Sequence, residues 1–288
     1  MKGILTVAGL LTVAPRIALA WGALGHSTVG YVAMQFISSN TLKQVQSILG
    51  STYDGTLGGD AASWADSVRS QTAYKFSAPF HYIDAEDSPP TSCSVSLSRD
   101  CGSSGCVVTA IQNYTQRLLD TDLSAAQRQE ALLFVDHFIG DIGQPLHDEN
   151  YEVGGNDIFA ICNGKTTNLH ATWDTGMLTT SADVRFDGDA ETYATYLAGE
   201  INSGSYESLA SGWVSCITES ALAGTSCPLV WATEANAYNC VDVFDFTKGD
   251  DLCTGSYYEA AIPTIDLQLA KQGYRLAKWL DEIFDELA

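Results

Sequence analysis

Apolar residues recur every three to four positions through most of this chain, while segments that alternate with period two are few and short. That rhythm restricts the fold to packed helices. The stretch Ser124–Asp141 shows it best. Ser124 and Gln127 form a capping box, Ala131, Leu132, Val135, Phe138 and Ile139 continue the stripe, and Pro145 limits how far the helix can run. Ile262, Ile265, Leu269, Leu276, Trp279 and Ile283 repeat the spacing over residues 258–287. Further helices are expected at about 26–37, 41–49, 59–69, 104–120, 187–202 and 228–244. Residues 87–105, rich in Ser, Pro, Cys and Gly, read as a stapled loop. No internal repeat or low-complexity linker interrupts the pattern, so residues 21–288 read as one all-α domain.

The first twenty residues stand apart. Lys2 supplies a positive start, Ile4–Val13 a short apolar core, and Ala18-Leu19-Ala20 a small-x-small cleavage site, so residues 1–20 read as a signal peptide. The apolar run is too short to span a bilayer comfortably, and no later segment is long and uncharged enough. The chain is therefore expected to be secreted and extracellular, with no membrane association, and to begin at Trp21 once cut. Its eight cysteines agree. An even number in an exported protein points to disulfides, and thiolate zinc sites would want Cys-x-x-Cys pairs, which are absent from the sequence. Asn113-Tyr114-Thr115 is an acceptor for N-glycosylation and fits the same route.

Charge narrows the function. The formal net charge is −21, and losing Lys2 and Arg16 with the leader makes it more negative still. Such a surface repels polyanions at long range, and no basic stripe follows a duplex backbone. If a phosphate ester is the substrate, the attraction must be local, with bound cations as its source. So acidic a protein also suits an acidic medium, where carboxylates are partly neutralised.

The five histidines are too few to be an enrichment, but their neighbours are informative. His137 and Asp141 lie four apart in the expected helix and project from one face. His170 and Asp174 repeat that spacing. His147 follows just past Pro145, His81 opens His81-Tyr82-Ile83-Asp84, and Asp66 sits in Ser63-Trp64-Ala65-Asp66. Imidazole nitrogen and carboxylate oxygen are ligands that zinc accepts, and a helical pair four apart can chelate one ion. Among 35 acidic residues, however, such pairs arise readily by chance. For either pair alone, a satisfied core histidine or an ion pair is the commoner explanation.

Longer motifs carry more weight. The segments Trp21–His26, Ala62–Asp66, His81–Asp87, Asp100–Cys106, His137–Glu149 and His170–Asp174 resemble, in order, the fungal S1/P1 nuclease family, and the similarity continues through Gln272–Ala277. All five histidines fall on positions that the family uses as metal ligands. The resemblance implies a single helical domain of the phospholipase C/P1 nuclease type with three zinc ions. The first would be held by Asp66, His81, His137 and Asp141. The second would take His147, His170 and Asp174. The third would be bound by His26, by Asp141 as a bridge, and by the amino nitrogen and carbonyl oxygen of Trp21.

The implied activity is that of an endonuclease and 3′-nucleotidase acting on single-stranded DNA, RNA and 3′-nucleotides, with 5′-phosphate products and the protein working as a monomer. Water activated at the cluster would attack phosphorus in line. Asp66 would orient it, and Arg69 would neutralise the transition-state phosphate; without the family match, Arg69 reads as a solvated helix residue. Tyr82, Asp84, Val153, Gly154 and Asn156 would hold a base, Tyr82 by stacking. Family members commonly have Phe where this chain has Tyr82, and the effect of the hydroxyl on base preference stays open. The resemblance pairs Cys93 with Cys240 and Cys101 with Cys106. It leaves Cys162, Cys216, Cys227 and Cys253 unassigned; Cys216–Cys227 with Cys162–Cys253 is a guess. Two rivals remain at this stage. One is a zinc phospholipase C-like phosphodiesterase, whose last ligand is typically Glu where this chain has Asp174. The other is a secreted acidic binding protein with structural zinc or none.

The terminal amine has an ordinary pKa of about 7.7–8.0 and becomes a ligand only when it is free and deprotonated. A protein retaining any residue before Trp21 is therefore expected to lose one zinc ion and most of its activity. Full activity and full zinc content in an N-terminally extended protein, measured by metal analysis and hydrolysis assay, would contradict the role given to Trp21.

Overall fold

The computed structural model describes residues 21–287. The expected signal peptide, residues 1–20, lies outside them. The all-α expectation holds: helices dominate, and the described sheet is one two-stranded hairpin, Phe159–Cys162 against Lys165–Asn168. Its turn, Asn163-Gly164, has both residues in the left-handed region, with φ of 51° and 72°. This is the geometry that two-residue hairpins prefer.

Three helices organise the rest. The central one, Ala125–Asp141, opens with the expected capping box: Gln127 N donates to Ser124 Oγ, and Ser124 N donates to Gln127 Oε1 at 3.1 Å. Every residue from Ala131 to Asp141 is buried, so this helix is packed on all sides over its last turns. The N-terminal helix Ala23–Phe36 lies against the C-terminal helix Gly255–Glu286 and against helices Asp60–Val68 and Ala190–Ser203. Glycines allow these approaches. A Cβ on Gly273 would fall 2.4 Å from the side chain of Val32, and one on Gly30 would fall 2.2 Å from the carbonyl oxygen of Leu57. One apolar core runs from Trp21 to Phe284.

Several elements depart from the sequence reading. Helix Met177–Phe186 has no counterpart in it, and neither does Glu207–Trp213. The helix expected over 228–244 runs Ser226–Asn236 and tightens to a 3-10 turn at Ala237–Cys240. The stapled loop of residues 87–105 contains a helical turn, Leu97–Asp100.

All eight cysteines are bonded. Cys93–Cys240 and Cys101–Cys106 are present, and the four left over pair as Cys162–Cys253 and Cys216–Cys227. Cys93–Cys240 ties the 87–105 loop to the turn after helix Ser226–Asn236. Asn113 is exposed on helix Val107–Leu119. Among the described residues no helix is long and apolar enough to cross a membrane.

Gly30→Ala would force Leu57 and its neighbours away from the N-terminal helix. The expected cost is about 1–3 kcal/mol, typical of overpacking, and would be seen as a lowered Tm. A variant as stable as the wild type in thermal unfolding would show that this approach is looser than the structure indicates.

Candidate metal and catalytic site

Seven segments deliver the eight candidate side-chain ligands to one buried place. The central helix supplies His137 and Asp141 from its last turns, and helix Asp60–Val68 supplies Asp66, with Arg69 just beyond its end. His26 comes from the N-terminal helix. His81 and His147 come from the 3-10 turns Lys75–His81 and Pro145–Asp148. His170 sits on a short helical turn, and Asp174 on the π-turn Thr172–Gly176 that follows it. Trp21 is fully buried, and the next residue, Gly22, donates its N–H to Asp174 O at 2.9 Å, so the start of the described chain is fastened to the segment carrying Asp174.

Asp141 is the hub. Its Oδ1 lies 3.1 Å from His26 Nε2, and its Oδ2 lies 2.9 Å from His81 Nδ1 and 3.3 Å from His137 Nε2. Asp66 Oδ1 is 3.7 Å from His137 Nε2 and 3.8 Å from His81 Nδ1. A separate trio gathers alongside: Asp174 Oδ2 is 3.1 Å from His170 Nε2, and Asp174 Oδ1 is 3.8 Å from His147 Nε2. Two donors on one tetrahedral zinc at 2.0–2.1 Å stand about 3.3 Å apart. The spacings here bracket that value. Three groups of donors, each within 4.8 Å, result, the first two sharing His137: His26, Asp66 and His137; His81, His137 and Asp141; His147, His170 and Asp174.

The imidazole orientations carry more information than the distances. The Nδ1 atoms of His137, His147 and His170 lie 2.7, 2.6 and 2.6 Å from the carbonyl oxygens of Ala62, His81 and Gly154. A carbonyl only accepts, so each Nδ1 carries the proton and each Nε2 is left with a lone pair aimed into the site. His147 Nε2 and His170 Nε2 then face each other at 3.2 Å. Two lone pairs so placed repel unless a cation or an added proton lies between them. His26 Nε2, His137 Nε2, Asp66 Oδ1, Asp141 Oδ1 and Asp174 Oδ2 are likewise buried without a hydrogen-bond partner. Those orphaned atoms fit a cluster of divalent cations.

Burial sets the electrostatics. It pushes the carboxyls of Asp141 and Asp174 up and pulls the imidazoles of His81, His137 and His147 down, while His26 is lowered to about 4. Burial also lowers His170, but the charge and hydrogen bond of Asp174 outweigh it and hold His170 above its ordinary value. The protein alone therefore penalises charge here, and cations would replace the protons that the carboxylates otherwise need. Arg69 Nη1 stands 3.5 Å from Asp66 Oδ1, mostly buried and directed at the cluster rather than into solvent.

A shell of neutral amides holds the ligand-bearing turn between Asp141 and His147, and the sequence reading missed it. Gln144 Oε1 accepts from Leu146 N at 2.7 Å, which fixes its Nε2 as the donor to Asp174 Oδ1 at 2.5 Å. Gln268 donates to Gly143 O, Asn239 to Pro145 O and Asn236 to Asp148 O. All four side chains are fully buried. The only hint in the sequence was a Gln directly before Pro145, inside a motif otherwise read for its histidines.

The five residues given to base recognition lie beside the cluster. Tyr82 is 40% exposed, so its ring is available for stacking, and Asp84 is exposed two residues on. Glu152, Val153, Gly154 and Gly155 all have φ between 50° and 75°, a left-handed turn that Val153 adopts at a cost. This turn presents Gly154 O to His170 and leaves Val153 exposed at its tip. Asn156 is half-buried and donates to Val153 O, bracing the turn. Gly154 and Asn156 thus have structural tasks that their residue types did not announce.

Comparison with known proteins agrees with this geometry. Residues 21–285 match the family described as S1/P1 nuclease. The chain is 48% identical to nuclease P1 of Penicillium citrinum over 269 residues, covering 91% of this chain and 97% of the relative. It is 42% identical to nuclease S1 of Aspergillus oryzae, covering 98% of each. Endonuclease 2 of Arabidopsis thaliana is 32% identical, with 96% and 94% covered.

Asp141→Asn would weaken a carboxylate that meets His26 through one oxygen and His81 and His137 through the other, whereas Gln144→Leu would disturb the His147, His170 and Asp174 trio alone. Metal analysis under chelator competition is expected to show the asparagine variant losing about two ions, and the leucine variant losing one ion roughly 10–100 times more readily than the wild type. An asparagine variant that keeps all its metal would refute the hub role of Asp141.

Proposed function

The chain belongs to the S1/P1 nuclease family, and from that premise we propose that it is a secreted, zinc-dependent endonuclease and 3′-nucleotidase acting on single-stranded DNA and RNA. The observation that carries the zinc reading is the pair of Nε2 atoms of His147 and His170 facing each other at 3.2 Å beside Asp174, each ring turned by the carbonyl that its Nδ1 meets. Zinc suits the donor set: imidazole nitrogens and carboxylate oxygens, with every cysteine engaged in a disulfide. Asp66, His81, His137 and Asp141 would hold one ion, His147, His170 and Asp174 a second, and Trp21, His26 and Asp141 a third. When bound, the ions supply an acidified water and neutralise charge on the phosphate and on the departing oxygen.

The residues of the chain supply the rest. Asp66, whose Oδ1 has no hydrogen-bond partner, can accept the proton of the attacking water and aim its oxygen at phosphorus. The new P–O bond then forms as the bond to the 3′ oxygen breaks, leaving a 5′-phosphate and a 3′-hydroxyl. Arg69, fixed beside Asp66, faces the equatorial oxygens of the transition state. Tyr82 stacks on a base. Asp84 and the turn Val153–Asn156 meet its edge, which is exposed only when the base is unpaired. A grip confined to one unstacked nucleotide needs no basic track, which reconciles a polyanionic substrate with a net charge of −21. A monomer suffices, since every group named here comes from one chain.

The test joins metal analysis to hydrolysis. Purified protein is expected to hold about three zinc ions per chain and to release 5′-nucleotides from denatured DNA much faster than from duplex. A chelator should abolish the activity and zinc should restore it. Phosphocholine release from lecithin at a comparable rate would favour a phospholipase instead, and chelator-resistant hydrolysis would defeat the zinc reading.

A further inference from the structure

The extended segment His81–Ala85 forms a ridge between two walls. On one side Ile83 N donates to His147 O at 2.8 Å and Asn150 N donates to Ala85 O at 3.2 Å, which leads to the Val153–Asn156 turn beside His170. On the other side Val107 N donates to Tyr82 O at 2.9 Å, which leads to the loop Cys101–Cys106. Between the ridge and that loop lies a cavity of about 240 Å³, lined by Tyr82 and Asp84 on one side and by Gly102, Ser103 and Ser104 on the other. The Val153–Asn156 turn does not line it. Two recognition surfaces therefore flank the same pair of side chains, and the function proposed above uses one of them.

The second surface is prebuilt. The Cys101–Cys106 disulfide closes the loop across a separation of five residues. Cys106 N donates to Thr109 Oγ1, and Asp100, at the loop's root, accepts from the backbone of Ser96 and Glu86 and from Arg99 Nη2. Phe80 lies beneath Gly105, where a Cβ would come within 3.0 Å of its ring. The chemistry of the lining selects among ligands. No Lys or Arg lines the cavity, and its charged members are Asp84 and Asp100, so a phosphate is unwelcome. An aromatic face at Tyr82, a carboxylate at Asp84 with no hydrogen bond or ion pair among the described residues, and the serine hydroxyls suit a flat, uncharged ring bearing N–H donors.

We propose that this cavity is a second nucleobase subsite, which takes the base of a nucleotide adjoining the one being cleaved. The inference rests on the nuclease reading and deepens it. The chain would grip two consecutive bases of a single strand, one on each flank of the Tyr82–Asp84 ridge, while a 3′-mononucleotide would occupy the Val153–Asn156 flank alone. Base stacking in such a site is worth enough to change affinity by about tenfold or more.

The double variant Ser103→Leu/Ser104→Leu fills the cavity from an exposed loop and alters no residue assigned to the zinc or the cleaved nucleotide. Wild type and variant are compared on 3′-adenylate and on a single-stranded tetranucleotide of deoxyadenylate. The expected result is a fall of about tenfold in kcat/KM for the tetranucleotide, carried by KM, with hydrolysis of 3′-adenylate within about twofold of wild type. Equal rates for variant and wild type on both substrates would overturn the subsite. An equal fall on both would overturn it too, because the loop would then act through the catalytic site. Failure of the wild type to cleave either substrate would instead remove the nuclease reading, which keeps the two outcomes distinct.

Discussion

A carboxylate fully withdrawn from water, Asp141, stands in contact with three imidazoles, two of them from other parts of the chain, and the architecture around it is arranged to make that tolerable. Burying one carboxylate among neutral rings costs several kcal/mol unless charge of opposite sign is present. Here the compensation cannot come from lysine or arginine alone: Arg69 reaches Asp66, and the other described ion pairs of lysine and arginine lie away from the cluster. Protons or cations taken up from the solvent are the remaining solutions, and the grouping of donors fits cations. Their binding then becomes part of the folding free energy, because helices that present Asp66, His26 and Asp141 to one another are otherwise held against their electrostatic preference.

The protein answers the same problem one layer out with groups that carry no charge. Gln144, Gln268, Asn236 and Asn239 bind the backbone or the carboxylate of the ligand-bearing segments, and carboxamides do not titrate. The frame around the cluster therefore keeps its hydrogen bonds across a wide pH range, which suits a chain whose surface loses negative charge in acid. The Cys101–Cys106 disulfide acts in the same direction on the loop beside Tyr82 and Asp84.

The sequence revealed the ligands better than it revealed their supports. The central helix was legible because Ser124, Gln127 and the apolar stripe agree with each other, and its i, i+4 pair followed directly. Helix Met177–Phe186 escaped because Thr179, Thr180 and Ser181 are poor helix formers; Thr180 hydroxyl bonds Gly176 O, and packing of Met177, Leu178 and Ala182 holds the segment. The hairpin left a signal, Asn163-Gly164, but its strands of four residues are too short to show alternation. The pairing of Cys162 with Cys253 depends on that hairpin meeting the start of the C-terminal helix, a contact that spacing cannot encode. Gln144 was invisible for a similar reason, since its partner, Asp174, is thirty residues away.

The close seat of Gly273 on Val29 and Val32 has a temporal meaning. The helix bearing His26 is received in part by helix Gly255–Glu286, far away in sequence, so this contact forms only when distant segments meet. Until that contact has formed, one side of the helix lies open and its imidazole has no fixed address. The group of donors that includes His26 is thus completed only once segments far apart in sequence have come together.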